Sequence, residues 1–118
     1  MTEHRNAKRR NFAYYMHVND ETTKEVVGTI LDVSAKGFRI DSHRPLPINQ
    51  DFRFRIDVTN EVAKDKSFIK FVARSRWCKL DMTDPSLYDA GFEIMSISSQ
   101  DYEIYQRIIE KYSSKDAW

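Results

Sequence analysis

Residues 28–40, Gly28-Thr29-Ile30-Leu31-Asp32-Val33-Ser34-Ala35-Lys36-Gly37-Phe38-Arg39-Ile40, read as strand, tight turn, strand. Val27, Thr29, Leu31 and Val33 alternate onto one face, and Phe38 and Ile40 resume the alternation after a break at Asp32, Ser34 and Gly37. Asp and Ser side chains bond local backbone, and glycine takes a positive φ that a Cβ disfavours, so a turn accounts for these residue types. It leaves their Asp-x-Ser-x-x-Gly spacing unexplained.

The same period of two extends on both sides of this hairpin. Upstream, Phe12, Tyr14, Met16 and Val18 alternate as in a half-buried strand, and the polar run 19–24 reads as a connection into a strand over 25–33. Downstream, Pro45 and Pro47 make 43–51 a loop. Phe52, Phe54, Ile56 and Val58 then alternate with Arg53, Arg55 and Asp57, giving one dry and one wet face. Ile69, Phe71, Ala73 and Trp77 share a face of a long strand ending near Leu80, which makes Trp77 a core residue unless it sits at a rim. Tyr88, Ala90, Phe92 and Ile94 mark the last strand.

Beyond it the period changes. Ser98 or Ser99 can cap a helix over about 99–112, with Asp101 and Glu103 in its first turn and an apolar stripe at Ile104, Tyr105, Ile108, Ile109 and Tyr112. The expected fold is mainly β, a small six-stranded antiparallel β-barrel with a C-terminal amphipathic helix against an opening or side. Periodicity by itself leaves another small barrel or a β-sandwich open.

A chain of 118 residues, 41% hydrophobic, suits one domain with one core, here 12–112, preceded by a flexible basic arm at 1–11 and followed by a tail at 113–118. Nineteen basic against eighteen acidic side chains create no overall field toward nucleic acid or membrane. Cys78 is the only cysteine, so neither an intramolecular disulfide nor a Cys-rich zinc site is available. No apolar run reaches membrane-spanning length and the N-terminus is polar, which makes a cytoplasmic location the expectation. His4, His17 and His43 lie in separate segments, and no Ser-His-Asp order, Cys-His pair or glycine-rich phosphate loop is present. Neither an enzyme nor a bound metal or cofactor is expected.

Asp32-Val33-Ser34-Ala35-Lys36-Gly37 resembles the second signature of the PilZ family, small β-barrel domains many of which bind the bacterial second messenger cyclic di-GMP; the resemblance runs from about Arg5 to Tyr112. In such domains an Arg-x-x-x-Arg motif before the first strand grips phosphate and guanine, while the Asp and Ser of the second signature bond another guanine. The resemblance thus implies Arg5, Arg9, Arg10, Asp32, Ser34 and Gly37 as ligand-binding residues. Arg5-Asn6-Ala7-Lys8-Arg9 satisfies the first motif literally and Arg10 adds a third guanidinium; aligning Lys8-Arg9-Arg10-Asn11-Phe12 instead puts Tyr14 where the second Arg would fall. Gly91-Phe92 resembles the glycine-aromatic pair of the last strand and reads as structural.

The implied function is a bacterial cyclic di-GMP receptor or adaptor in which ligand orders the basic arm against the barrel and alters a surface offered to an effector protein. Two alternatives belong to other classes. One is a PilZ-like adaptor that binds protein without ligand. The other is a single-stranded nucleic-acid barrel, suggested by the basic arm with Tyr14, Tyr15 and Trp77 and opposed by the near-zero net charge.

Overall fold

The computed structural model describes residues 10–11 and 15–112. Its elements are β1 (Arg10–Asn11), β2 (His17–Asp20), β3 (Val26–Ser34), β4 (Gly37–Ser42), β5 (Asp51–Asp57), β6 (Phe68–Leu80), β7 (Tyr88–Ser96) and α1 (Ser99–Tyr112). The strands pair in the order β3-β2-β5-β6-β7-β4, and β4 pairs back to β3, closing a six-stranded antiparallel barrel of the expected kind. Closure leaves these strands no exposed edge.

β1 is an addition to that barrel. β2 pairs with β3 over Val26, Gly28 and Thr29, and β1 continues along the same side with Arg10 opposite Val33 and Asn11 opposite Asp32. Residues assigned to the end of the basic arm therefore form a strand, because β3 outruns β2 and presents backbone groups there that need partners. Residues 1–9, the start of the first expected strand at 12–14, and the tail at 113–118 lie outside the described residues.

The core follows the alternation. Val18, Ile30, Val33, Phe38, Ile40, Phe54, Ile56, Ile69, Phe71, Ala73, Ala90 and Phe92 are buried. Phe38 is at its centre, with ring centroids 5.5 Å from Phe92, 5.7 Å from Phe71 and 6.1 Å from Phe54. Fully burying one such side chain stabilises the fold by about 1.5–3 kcal/mol.

Two of the four register shifts between these strands correct readings of the sequence. The β3–β4 register slips between Ile30 and Asp32, so Gly28 and Ile30 point into the barrel while Val27, Thr29 and Leu31 are only half-buried; beyond the bulge Val33 faces inward. The four residues Val27, Thr29, Leu31 and Val33 therefore do not share a face. The β6–β7 register slips between Ser75 and Trp77, after which Cys78, not Trp77, packs against the core. One extra residue reverses every later side chain, because strands have a period of two. Trp77 consequently lies outside the barrel.

Helix α1 lies against the barrel through buried Ile104, Tyr105 and Ile108, with Ile109 and Tyr112 partly covered. Ser98 caps it: the Ser98 Oγ accepts from Asp101 N at 3.1 Å. Asp101 then fixes the helix to β6 and the loop before it, accepting from Lys66 Nζ at 2.6 Å and from Lys70 N at 3.2 Å. Among the described residues no helix is long and apolar enough to cross a membrane.

Candidate functional site

The bulges and the hairpin register assemble one row of residues across the outside of the barrel. Asp32 on β3 pairs with Arg39 on β4, Arg39 with Gly91 on β7, and Gly91 with Trp77 on β6. Adjacent strands lie about 4.8 Å apart, so the row spans about 15 Å. At its far side Asn11 of β1 pairs with Asp32, which brings the end of the basic arm alongside. Gly91 carries no side chain because the Trp77 indole occupies that space; a Cβ built there would collide with the ring. The indole is thus a flat, half-buried plane at one end of the row, with Lys79 Nζ 5.5 Å from its ring centroid.

At the other end, Asp32 is almost fully buried although it belongs to the outer face. Arg39 covers it, Nε donating to Asp32 Oδ2 at 2.9 Å, while Nη1 of the same guanidinium is 3.8 Å from Asp89 Oδ2. Asp89, two residues before Gly91 and on the same face, is also buried, and its Oδ1 has no hydrogen-bond donor. Asp89 also interacts with another carboxyl, Asp81, in the connection that follows β6. Burial foremost, and then Asp81, push the Asp89 carboxyl above its ordinary range. Asp81 itself is held down to about 2, chiefly by the Thr83 backbone N–H and then its hydroxyl.

Ser34 and Gly37 form the turn beside this row. They pair with each other across the two-residue connection Ala35-Lys36. No described glycine has positive φ, and Lys24 and Asn49 are the only other described residues that do, so the expected left-handed conformation at Gly37 is not the reason for glycine. The reason is a close approach: a Cβ on Gly37 would overlap the Phe92 carbonyl oxygen of β7. Ser34 is likewise not in a solvated turn but 7% exposed, with its hydroxyl in two long contacts of 3.4 Å, donating to Gly37 O and accepting from Lys36 N.

Helix α1 grips the same turn. The Tyr105 hydroxyl is 2.8 Å from Ser34 O and 3.0 Å from Gly37 O, and Tyr102 donates to Ala35 O at 3.0 Å. These bonds tie the helix to the turn. The apolar stripe of α1 announced the packing of Tyr105 but not this polar grip.

Of the residues singled out in the sequence, the structure groups Asp32, Ser34 and Gly37 on one hairpin and brings the backbone of Arg10 beside them. Arg5 and Arg9 lie outside the described residues. Arg39 and Asp89 stand at this site without having been singled out in the sequence, and Trp77, read as core unless at a rim, faces outward. Arg39 was findable: a two-residue connection from Ser34 to Gly37 sets Asp32 directly opposite Arg39 in an antiparallel hairpin. Among the described residues no group of His, Cys, Asp or Glu side chains is arranged to hold a metal ion.

Comparison with known proteins places this geometry. A PilZ domain model matches residues 3–111. Among solved structures the chain is similar to the Bacillus subtilis inhibitor of motility MotI/DgrA, at 16% identity and a TM-score of 0.68, covering 93% of this chain and 51% of that one. It is similar to the PilZ domain of Escherichia coli YcgR solved with c-di-GMP, at 14% identity and a TM-score of 0.66 over 93% of this chain and 92% of that one. A longer YcgR chain in complex with c-di-GMP matches at 14% identity and a TM-score of 0.61, with 92% of this chain and 45% of that one covered. The chain thus spans about half the length of MotI/DgrA and of the longer YcgR chain. No curated protein matches it in sequence. With the family model matched over nearly the whole length and the barrel shared with these structures, the chain belongs to the PilZ domain family.

Proposed function

We propose that this chain is a bacterial receptor for cyclic di-GMP that acts as an adaptor on a protein partner. The observation that carries the reading is the outer row of Asp32, Arg39, Gly91 and Trp77, flanked by β1 at the end of the basic arm. Its chemistry suits a cyclic dinucleotide. A carboxylate at Asp32 can accept from the N–H groups of a guanine edge, the Trp77 indole offers a plane on which a purine stacks, and Arg5, Arg9 and Arg10 supply planar forks for phosphate and guanine O6 and N7. A carboxylate beside a dianion is tolerable when it faces the base.

Ligand contacts would hold the arm against β3 and the turn, and the turn is tied to α1 through Tyr102 and Tyr105. Ordering the arm costs conformational entropy, which two bidentate guanidinium contacts offset at about 1.5–3 kcal/mol per charge-assisted bond. The surface altered for an effector is then the one shared by the arm, the turn and α1.

The reading of a ligand-independent adaptor has one observation in its favour. Ser34 and Gly37 have structural roles in the turn, and Asp32 already carries Arg39. Calorimetric titration with cyclic di-GMP, run beside short single-stranded oligonucleotides, separates these readings. The receptor reading expects saturable binding of the cyclic dinucleotide alone and a loss of about tenfold in Trp77→Ala, from a stacking contribution of about 1–3 kcal/mol. Binding of neither ligand would favour the adaptor, and binding of oligonucleotides alone would favour the nucleic-acid barrel.

A further inference from the structure

Arg39 stands between two buried carboxylates and is committed to only one of them. Its Nε is bonded to Asp32 at 2.9 Å, whereas the 3.8 Å from Nη1 to Asp89 is too long for a hydrogen bond. Asp89 Oδ1 meanwhile is buried without a donor. A buried carboxylate oxygen lacking a partner is costly, and the surroundings offer little relief. Asp89 faces Asp81 from the connection after β6, Asp41 and Arg39 on β4, and pairs across the β6 ladder with Lys79, an exposed residue. The guanidinium is the only one of these groups that already touches both the Asp32 end and the Asp89 end of the site.

Resting on the reading of Asp32 as the guanine acceptor, we infer that Arg39 occupies Asp32 in the ligand-free protein as a stand-in for the base and is handed to Asp89 when ligand takes its place. A guanine edge that donates to Asp32 Oδ2 competes with Nε for that oxygen. Were the guanidinium then left without a carboxylate, binding would carry the cost of breaking a half-buried ion pair. Movement of about 1 Å brings Nη1 to the usual charge-assisted distance from Asp89, so one pair replaces another. The exchange gives Asp89 Oδ2 a charged donor at hydrogen-bond distance. Asp89 is thereby a positioning residue: it sets ligand affinity through Arg39 without contacting ligand.

A double-mutant cycle on the full chain tests this, with cyclic di-GMP affinity measured calorimetrically for wild type, Asp89→Asn, Arg39→Gln and the double variant. Asn offers no charge to receive the guanidinium, so Asp89→Asn should weaken binding about tenfold. In the Arg39→Gln background there is no guanidinium to hand over, and adding Asp89→Asn should change affinity by less than about twofold. An equal loss in both backgrounds, or no loss in either while wild type binds, overturns the exchange and leaves the receptor reading standing. Absence of binding by wild type overturns the receptor reading itself, and the exchange with it. Should Asp89→Asn fail to fold, the Arg39 Nε–H and Nη–H resonances of wild type decide instead. Ligand should shift them while they stay protected from solvent exchange, and loss of protection on saturation overturns the proposal.

Discussion

Replacing Tyr105 with Phe removes one oxygen from a side chain that is 1% exposed, and leaves the ring packed as before. That oxygen is within hydrogen-bond distance of two carbonyls, Ser34 O at 2.8 Å and Gly37 O at 3.0 Å, at the mouth of the β3–β4 turn. Its loss forfeits about 1–2 kcal/mol, since Gly37 O keeps the Ser34 hydroxyl as a donor. That corresponds to about 4–8 °C in melting temperature for a domain of this size. Urea unfolding with an unchanged m-value would measure it. Because α1 holds the turn through this contact, cyclic di-GMP affinity should fall as well under conditions where the variant is fully folded. A loss of stability below about 0.5 kcal/mol, with binding unaltered, would refute the claim that helix and turn are coupled.

Three further outcomes are expected. Gly37→Val should lose about 1–3 kcal/mol or more, because the Phe92 carbonyl belongs to the β4–β7 ladder and cannot yield to a Cβ; a melting curve like that of wild type would show that the close approach relaxes. Ser34→Ala should lose less than about 1 kcal/mol of stability, since both hydroxyl contacts are long, while binding weakens about tenfold; binding that simply tracks stability would make Ser34 a turn former alone. The Asp89 carboxyl is raised in the folded state above 3.8, so its contribution to stability is present below that pH and is lost as pH rises through the folded value. Asp89→Asn should accordingly gain on wild type as pH increases from about 4 toward neutrality, and a difference independent of pH in parallel denaturation series would contradict the placement of that buried carboxylate.

Much of the fold was legible because alternation and burial are the same fact seen twice. Phe52, Phe54 and Ile56 declared β5, and Ile104, Tyr105 and Ile108 declared the packed face of α1. The two bulges were not legible, since an extra residue between Ile30 and Asp32 or between Ser75 and Trp77 has no compositional mark. Trp77 was consequently read as core unless at a rim, and it lies outside. Gly37 was read through dihedral freedom, the usual reason for glycine in a turn, whereas the governing contact comes from β7, 55 residues away in sequence at Phe92. Asp32 and Ser34 were identified by spacing and the hairpin connection implies Arg39, but Asp89 beside Arg39 and Tyr105 on the turn depend on strand register and helix docking, which no single segment encodes.

The receptor reading is tested most directly by titrating cyclic di-GMP into the intact chain and into a form lacking residues 1–9, which keeps Arg10 and Asn11 opposite Val33 and Asp32. The intact chain should bind saturably, and the shortened one should retain its melting temperature yet lose at least about tenfold in affinity, since removing Arg5 and Arg9 removes two charged forks. Equal affinity in both forms would contradict a role for the arm, and no binding by the intact chain would contradict the proposed function itself.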